Sequence, residues 1–507
     1  MNLSRRSLLT IGAAGVASSA IPFSMAGQNG QWRGKRPRNI IFMVADGMSH
    51  QTVAICDEYQ KLALGKTSSY WAALMDRPDV FTGLQETRSL SSVVTDSAAA
   101  ASTWGSGRRI MNGMINMFPD KTNLRTLTGL MLEAGVKVGL VTTTTMTHAT
   151  PSGFAINILD RDLEALIAEQ HLTSGVSVLL GGGDKFFSAS KRKDKKDMYA
   201  EFEKKGFKVV KDRDGVLNLK ADKILGIFSD SHIPYSIDRD NDPELQRTVP
   251  TLAEMAHTAI ENLKGSSKGF LLQIEGGKVD HAGHANDTAA QVHDQMAFED
   301  AVKVAIEFAE KDGNTLVIIT ADHATGGPSL NGAGNEYFDA TKGLVSVAKH
   351  KSSYGPLTDA FGKTATTQSV QDAVEAKLGI QLKAKEAEII SDAFNGKSIF
   401  ADLELQGGKL SALALVLQNY TKIGWTSLNH TSEHVLVSAF GPGSEQVRGL
   451  TKNVEFFDMM LAAKGLKWSN PSMTLEDALK NMEKMKASID PEWFAFYSST
   501  DDECFGH

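Results

Sequence analysis

The chain has 507 residues, of which 42% are hydrophobic and 22% are charged. These fractions are typical of a soluble globular protein, and they exclude a disordered chain, a fibrous protein and a polytopic membrane protein. The formal net charge is −7, and it becomes −9 without the two arginines of residues 1–26. An acidic protein of this kind is a poor general binder of nucleic acid, because phosphate backbones attract dense lysine and arginine fields. The basic run Lys191–Lys196 is interrupted by Asp194, and we expect it to form a solvated surface.

Residues 1–26 are expected to form an export signal. Arg5 and Arg6 precede an apolar stretch, Leu8–Ile21, which is too short to span a bilayer, and the segment ends in a cleavage-site-like Ser-Met-Ala. The arginine pair followed by two leucines resembles a twin-arginine signal, and an ordinary secretory signal stays the alternative. No later stretch reaches the roughly 20 apolar residues of a membrane span. We therefore expect a periplasmic or secreted protein of residues 27–507.

The two cysteines, Cys56 and Cys504, are too few for a disulfide framework or for a metal site built on cysteine. A single bridge between them stays open, and two free thiols are the expected state. Any structural metal in this protein would therefore be held by histidines and carboxylates.

Short apolar runs rich in β-branched residues alternate with helical patterns along the chain. The predicted strands are Asn39–Ala45, Ser91–Thr95, Val136–Thr143, Val176–Leu180, Ile224–Phe228, Gly269–Ile274, Thr315–Thr320 and His434–Ala439. Of the predicted helices, Thr251–Leu263 begins with capping-box spacing and Asp287–Lys311 ends before Gly313. This order predicts an α/β fold with a mainly parallel central sheet covered by helices on both faces. Residues 331–425 are expected to form a helical insertion.

Polar residues directly follow three of the predicted strands. Asp46 comes after the first strand, Glu275 after the strand Gly269–Ile274, and Asp322 with His323 after the strand Thr315–Thr320. A single aspartate in such a place is usually a helix cap or a turn residue. Because ligands of open α/β sheets bind at the carboxyl ends of the strands, three such endings predict a shared site that holds a cation.

Two further patterns point to the same chemistry. Asp280 and His284 are four residues apart, so on one helical turn they would face the same point, a spacing that suits zinc; an exposed polar turn is the alternative. Ser97 precedes an alanine run that starts a helix, where free backbone N–H groups favour an anion. A serine there is a candidate nucleophile if a base or a metal activates it, and a plain helix-capping serine otherwise.

Five segments together resemble the alkaline phosphatase family, and they occur in the order that the family has. The segments are VTDSAAAAS (94–102), HATPSG (148–153), QIEGGKVDHAGH (273–284), TADHATGG (320–327) and NHTSEH (429–434). The resemblance extends from Asn39 to about Leu461. One of these motifs alone would be weak, whereas the ordered set is specific.

The resemblance implies a phosphomonoesterase with two zinc ions and one magnesium ion, working on small phosphate esters as a homodimer. It implies that Ser97 is the nucleophile, through a phosphoserine intermediate, and that Arg161 clamps the phosphate. The implied ligands are Asp280, His284 and His430 for the first zinc, Asp46, Asp322 and His323 for the second zinc, and Asp46, Thr150 and Glu275 for the magnesium. His430 is preferred to His434 because Gly441-Pro442 follows it at the family's spacing.

Because His148 is two residues from Thr150 and His281 adjoins Asp280, we expect these two histidines to have supporting roles, in which they contact the phosphate or orient water on the third metal. Two alternatives remain for the function. A phosphodiesterase or sulfatase could share the fold, but Ser97-Ala98-Ala99 lacks the Cys/Ser-x-Pro-x-Arg motif of sulfatases. A non-catalytic exported protein that binds metal or phosphate is the other.

Overall fold

The computed structural model describes residues 34–397 and 402–498; the expected signal segment and Cys504 lie outside these ranges. Cys56 is a buried free thiol. The strands are β1 (Asn39–Val44), β2 (Val80–Glu86), β3 (Lys137–Thr145), β4 (Val178–Gly182), β5 (Lys208–Val210), β6 (Ile224–Ile227), β7 (Phe270–Glu275), β8 (Thr315–Thr320), β9 (Ala324–Thr325), β10 (Ser329–Leu330), β11 (Ile423–Gly424), β12 (His430–Thr431), β13 (Val435–Phe440) and β14 (Gly449–Lys452).

Helices of very different length connect these strands. They are α1 (His50–Leu64), α2 (Tyr70–Met75), α3 (Ser97–Ser106), α4 (Leu127–Glu133), α5 (Ala149–Gly153), α6 (Glu164–Thr173), α7 (Asp184–Phe187), α8 (Met198–Lys204), α9 (Arg213–Val216), α10 (Ser236–Asp240), α11 (Pro243–Thr248), α12 (Leu252–Leu263), α13 (Lys278–His284), α14 (Thr288–Asp312), α15 (Phe338–Ser346), α16 (Tyr354–Asp359), α17 (Thr367–Leu378), α18 (Ala384–Phe394), α19 (Lys409–Thr421), α20 (Glu455–Ala463), α21 (Leu475–Ser488) and α22 (Pro491–Tyr497). Short 3₁₀ turns lie at Asn335–Tyr337, Val347–Lys349 and Ser444–Gln446.

Within the described residues, ten strands form one sheet in the order β14-β2-β13-β8-β1-β7-β3-β4-β6-β5. Strand β13 is antiparallel to both of its neighbours, and the other neighbouring pairs are parallel. Two small antiparallel pairs, β9 with β12 and β10 with β11, lie beside it. The predicted mainly parallel sheet is therefore confirmed.

Both faces of the sheet are buried at its centre, as the uninterrupted apolar sequence of β1 requires. Ile41 and Met43 point into a hydrophobic core that includes residues of α12 and α14. Phe42, between them in sequence, points into a second core with Trp104 of α3 and Phe456 of α20. Side chains alternate along a strand, so one short apolar run joins helices on both faces.

Two local predictions are wrong. Residues 91–95 form a loop and not a strand, because side chains there bond the local backbone: the hydroxyl of Ser89 accepts from the Ser92 N–H at 3.1 Å, and the amide of Asn112 donates to the Val94 carbonyl at 3.1 Å. The basic run is not wholly solvated either. Arg192 is 2% exposed and pairs with Glu169 and with Asp194.

The stretch between β10 and β11 is helical, with α15 to α19 in sequence. Leu357, Val374, Ile390 and Leu413, with their neighbours, form a hydrophobic core that is separate from the two cores of the sheet. Among the described residues, no helix is long and apolar enough to cross a bilayer.

Candidate active site

The predicted ligands gather at the carboxyl ends of four adjacent strands, β8, β1, β7 and β3. Asp46 lies two residues after β1, Glu275 is the last residue of β7, and Asp322 and His323 follow β8. Thr150 lies in the short helix α5 that follows β3. These five side chains are at most 1% exposed. Parallel strands therefore bring together residues that are more than 270 positions apart in the sequence.

One group consists of Asp46, Asp322 and His323, and it is small enough to hold one metal ion. His323 Nε2 lies 3.0 Å from an oxygen of Asp322 and 3.6 Å from an oxygen of Asp46. The other oxygen of Asp322 accepts the backbone N–H groups of Gly47, at 3.1 Å, and of His323 itself, at 2.9 Å. The backbone turn after β8 thus lets two consecutive residues face one point.

A second group forms around Asp280 and His284, which lie on one face of α13 as their spacing predicts. His284 Nε2 is 3.4 Å from Asp280 Oδ2 and 3.0 Å from His430 Nε2. The Nδ1 atoms of the two histidines face backbone carbonyls, of Leu428 for His284 and of Thr95 for His430, at 2.5 and 2.9 Å. An Nδ1–H donated to a carbonyl leaves the Nε2 lone pair for a metal.

His430 reaches this group because the two-residue strand β12 pairs with β9, directly after His323. In that pairing His430 lies opposite Thr325, whose hydroxyl donates to Asp280. His434, the competing residue, is exposed. The structure therefore brings His430 to the site and does not bring His434.

A third group consists of Asp46, His148 and Glu275. The hydroxyl of Thr150 donates to Asp46 Oδ2 at 3.2 Å, and that of Thr142 donates to Glu275 Oε2 at 2.6 Å. His148 Nδ1 lies 4.0 Å from Glu275 Oε1. Carboxylate and hydroxyl oxygens predominate in this group, and they are the ligands that magnesium prefers.

The electrostatics around Asp46 and Glu275 favour a bound cation. Asp46 Oδ1, Asp322 Oδ2 and Glu275 Oε1 are buried without a hydrogen-bond partner. Burial, together with the charges of neighbouring carboxylates, raises the pKa of Asp46, and burial raises the pKa of Glu275 to about 7. Buried like charges are unfavourable unless an opposite charge is shared between them. The mixed carboxylate, imidazole and hydroxyl donors fit zinc and magnesium.

Ser97 is the first residue of α3 and lies against the metal groups. Its Oγ is 3.2 Å from His323 Nε2, and its side chain is buried. Asp96 caps the helix by accepting the N–H of Ala99 at 2.9 Å. The serine hydroxyl thus lies at a helix N-terminus, where the exposed N–H groups attract a negatively charged ligand.

Arg161 lies in the loop before α6, beside the start of α3. Its Nη2 is 3.0 Å from His148 Nε2, and its Nη1 donates to Asp96 Oδ2 at 3.2 Å. Asp96 therefore holds both the start of α3, with Ser97, and the guanidinium. A guanidinium in this position can offer paired N–H groups to an anion.

Several known proteins with similar sequences and structures belong to one family. The sequence model of the alkaline phosphatase family matches residues 37–466. Alkaline phosphatase 3 of Bacillus subtilis is 32% identical over 465 residues, which are 88% of this chain and 93% of that protein. The crystal structure of Thermus thermophilus alkaline phosphatase has a TM-score of 0.84 and 36% identity, covering 89% of this chain and 96% of that one.

The chain belongs to the alkaline phosphatase family. It is accordingly a metal-dependent hydrolase that acts on phosphate monoesters. A more distant structure, a TAB5 alkaline phosphatase variant with aspartate in place of a histidine, has magnesium bound in its M3 site. Its TM-score is 0.60 and its identity 25%, and it covers 86% of this chain and 99% of that one.

The sequence analysis of this chain did not identify two residues that lie near the site. His232, in the loop after β6, has its ring centroid 4.4 Å from that of His281 and 5.9 Å from that of His148. Lys278, at the start of α13, has its Nζ 2.9 Å from His281 Nδ1. Lys278 stands inside the quoted motif QIEGGKVDHAGH, so its position was a usable signal. His232 lies in no such motif, and no local sequence pattern indicates it.

Proposed function

We propose that the protein is an exported alkaline phosphatase that hydrolyses small phosphate monoesters through a phosphoserine on Ser97. The observation that carries the proposal is the position of the Ser97 hydroxyl, 3.2 Å from His323 and beside the three groups of candidate metal-binding side chains. If Ser97 had only a structural role at the start of the helix, the buried carboxylates beside it, which lack hydrogen-bond partners, would have no explanation.

We assign the metal ligands as two zinc sites and one magnesium site. Asp280, His284 and His430 would hold the first zinc, and Asp46, Asp322 and His323 the second. Asp46, Thr150 and Glu275 would hold the magnesium, with His148 beside them. Supporting this division, imidazoles predominate among Asp280, His284 and His430, whereas oxygen donors predominate in the group of Asp46 and Glu275. When bound, the metals supply positive charge that neutralises the phosphoryl group and activates oxygen nucleophiles.

The side chains of this protein would act in the following order. Arg161 binds two phosphoryl oxygens and orients the ester for in-line attack at the start of α3. The Oγ of Ser97 gives up its proton and forms a bond to phosphorus as the bond to the alcohol breaks, and the alcohol leaves after taking up a proton. A water oxygen then attacks the phosphoserine, the bond between phosphorus and Oγ breaks, and inorganic phosphate leaves as Ser97 regains a proton.

The proposal includes the assembly and location of the protein. The export signal in residues 1–26 would be removed, which leaves a catalytic domain of residues 27–507 outside the cytoplasm. The helical region, residues 331–425, would form an insertion of that domain, and two copies would assemble as a homodimer. No nucleic acid and no membrane span are part of this function.

A comparison of substrates with and without chelator tests the proposed chemistry. We expect p-nitrophenyl phosphate to be hydrolysed much faster than bis-p-nitrophenyl phosphate. We also expect EDTA to abolish turnover and zinc with magnesium to restore it. Preference for the diester would support the phosphodiesterase alternative. Full activity in chelated protein shown by elemental analysis to be free of metal would contradict the mechanism.

Trapping the intermediate tests the nucleophile separately. Enzyme quenched with acid during turnover of a labelled monoester should carry phosphate on the peptide that contains Ser97. Ser97→Ala should lose this label and several orders of magnitude of activity, because it removes the only atom that forms the covalent bond. Label on another residue would reject the assignment. A wild-type protein that binds metal and phosphate but never turns over would support the non-catalytic alternative.

A further inference from the structure

Lys278 is a buried lysine at the first position of α13, and it contacts a histidine of its own helix. The side chain is 8% exposed, and its Nζ lies 2.9 Å from Nδ1 of His281, one turn further along. The same Nζ lies 4.1 Å from the ring centroid of Tyr235, the position of a cation above an aromatic face. Lys278 thus has a defined place between an aromatic ring and an imidazole.

The direction of this hydrogen bond decides the tautomer of His281. A lysine ammonium only donates, so Nδ1 must be the acceptor and carry no proton. A neutral imidazole has one N–H and one lone pair, and here the lone pair is used at Nδ1. The proton is therefore on Nε2, and His281 has no free lone pair with which to bind a metal, although it adjoins Asp280.

Two neighbouring histidines show the same pattern. Arg161 donates to Nε2 of His148 at 3.0 Å, which leaves the proton of that ring on Nδ1, on the side of Glu275. The backbone N–H of Thr145 donates to Nδ1 of His232 at 3.1 Å, which leaves its proton on Nε2. The three rings are mutually perpendicular within about 15° and have centroids 4.4 to 6.0 Å apart.

This pattern is opposite to that of the proposed zinc ligands. The Nδ1 atoms of His284 and His430 face carbonyl oxygens, so their Nε2 lone pairs are directed to the metal group. The rings of His148, His232 and His281 are instead bonded by donors. One class of histidine thus offers lone pairs, and the other offers N–H groups.

We propose that Lys278 is a positioning residue that fixes His281 as an N–H donor and so keeps it from binding zinc. As a donor, His281 would be in the form that can serve the phosphate, the role that the sequence analysis predicts for it. The part of this proposal that concerns phosphate rests on the proposed function. The tautomer itself does not, because it can be measured without turnover.

Nitrogen NMR of the metal-loaded enzyme labelled with ¹⁵N-histidine tests the tautomer directly. We expect the wild-type His281 signal, assigned with His281→Gln, to show an unprotonated Nδ1 and a protonated Nε2. Lys278→Met should move both nitrogens towards the average of the two tautomers, and Lys278→Arg, which keeps a donor, should restore the wild-type pattern. Lys211→Met is the matched control, because that lysine follows the edge strand β5, lies over the ring of Tyr199 and pairs with Asp184; it should leave the His281 signal unchanged.

Calorimetric binding of inorganic phosphate, with metal content measured in the same samples, tests the consequence. We expect roughly 10-fold weaker binding in Lys278→Met and recovery in Lys278→Arg, because residues that orient a metal site commonly contribute 10- to 100-fold. Unchanged phosphate affinity in Lys278→Met would overturn the functional part. A wild-type His281 protonated at Nδ1 would overturn the whole proposal, even if Lys278→Met did not fold. Inactive wild-type enzyme with the expected NMR pattern would instead count against the proposed function alone.

Discussion

Asp46 connects two of the metal groups because its two carboxylate oxygens face different neighbours. Oδ1 lies 3.6 Å from Nε2 of His323, whereas Oδ2 accepts the hydroxyl proton of Thr150. A carboxylate shared in this way links the occupancy of one group to that of the other, since a cation in either group lowers the cost of ionising Asp46. We therefore regard the group of Asp322 and His323 and the group of Glu275 and His148, which share Asp46, as one electrostatic unit.

His148 offers a test of the third group at the scale of one residue. Replacing it by aspartate would add a negative charge and oxygen ligands beside Glu275, so we expect His148→Asp to reach half-maximal activity at a lower magnesium concentration. Tighter phosphate binding could then slow turnover, because product release often limits it. His148→Ala should raise the magnesium requirement or leave it unchanged. Magnesium titrations of the three proteins measure this.

His148→Asn is the control for charge in that series, since its side chain has similar size to aspartate but is neutral. If wild type, the alanine variant and the aspartate variant had identical activation curves, position 148 would not act on the third metal.

At the scale of an element, helix α12 depends on its first turn. The Thr251 hydroxyl accepts the N–H of Glu254 at 3.1 Å, and the Glu254 carboxylate accepts the N–H of Thr251 at 2.9 Å. Loss of such a cap costs about 1 kcal/mol. We expect Thr251→Ala to lower the free energy of unfolding by about this amount, measured by urea denaturation.

Thr251→Ser is the matched variant, because serine keeps the capping hydroxyl and should retain most of the stability. The turnover number of both variants should equal that of the wild type, since Thr251 belongs to none of the candidate metal groups and contacts neither Ser97 nor Arg161. A Thr251→Ala protein as stable as the wild type would show that the capping box contributes nothing measurable.

The sequence predicted the central strands well because their apolar runs are continuous and bounded by polar residues. It failed for β2, whose sequence, Val80–Glu86, contains Gly83 and is mostly half-buried, and it wrongly assigned a strand to residues 91–95. The side chains that gather at the candidate site were predictable where they follow a buried strand or recur at helical spacing. The contact of His232 with His281 was not, because it depends on how the loop after β6 folds back, which local patterns do not encode.

At the scale of the whole molecule, the metals should contribute to stability as well as to catalysis. Buried carboxylates of three different strand ends repel one another, and a ligand that binds only the folded state stabilises it by mass action. We expect EDTA to lower the melting temperature, and zinc with magnesium to restore it. Scanning calorimetry measures this, with Ser97→Ala as a sample that lacks the nucleophile but keeps the metal ligands. An unchanged melting temperature after verified metal loss would contradict the expectation.

Export is the other prediction at this scale, and it concerns residues outside the described part of the chain. Replacing Arg5 and Arg6 by lysine should leave the protein in the cytoplasm, because a twin-arginine signal is recognised through that pair. Cell fractionation and immunoblotting of the double variant measure this. Normal delivery outside the cytoplasm would favour the ordinary secretory route.

Strand β1 has a position in the sheet that constrains how the nascent chain can fold. It is made near the N-terminus, yet its two neighbours are β7 and β8, so Ile41 must pair with Leu272 and Val317. Leu272 comes 231 residues after Ile41 and Val317 comes 276 residues after it, so β1 lacks at least one of its two partners until β8 has been made, and pairing over such distances is slow. Asp46, at the end of β1, cannot complete its metal groups before then. The centre of the sheet therefore closes late in synthesis, and the catalytic pocket closes with it.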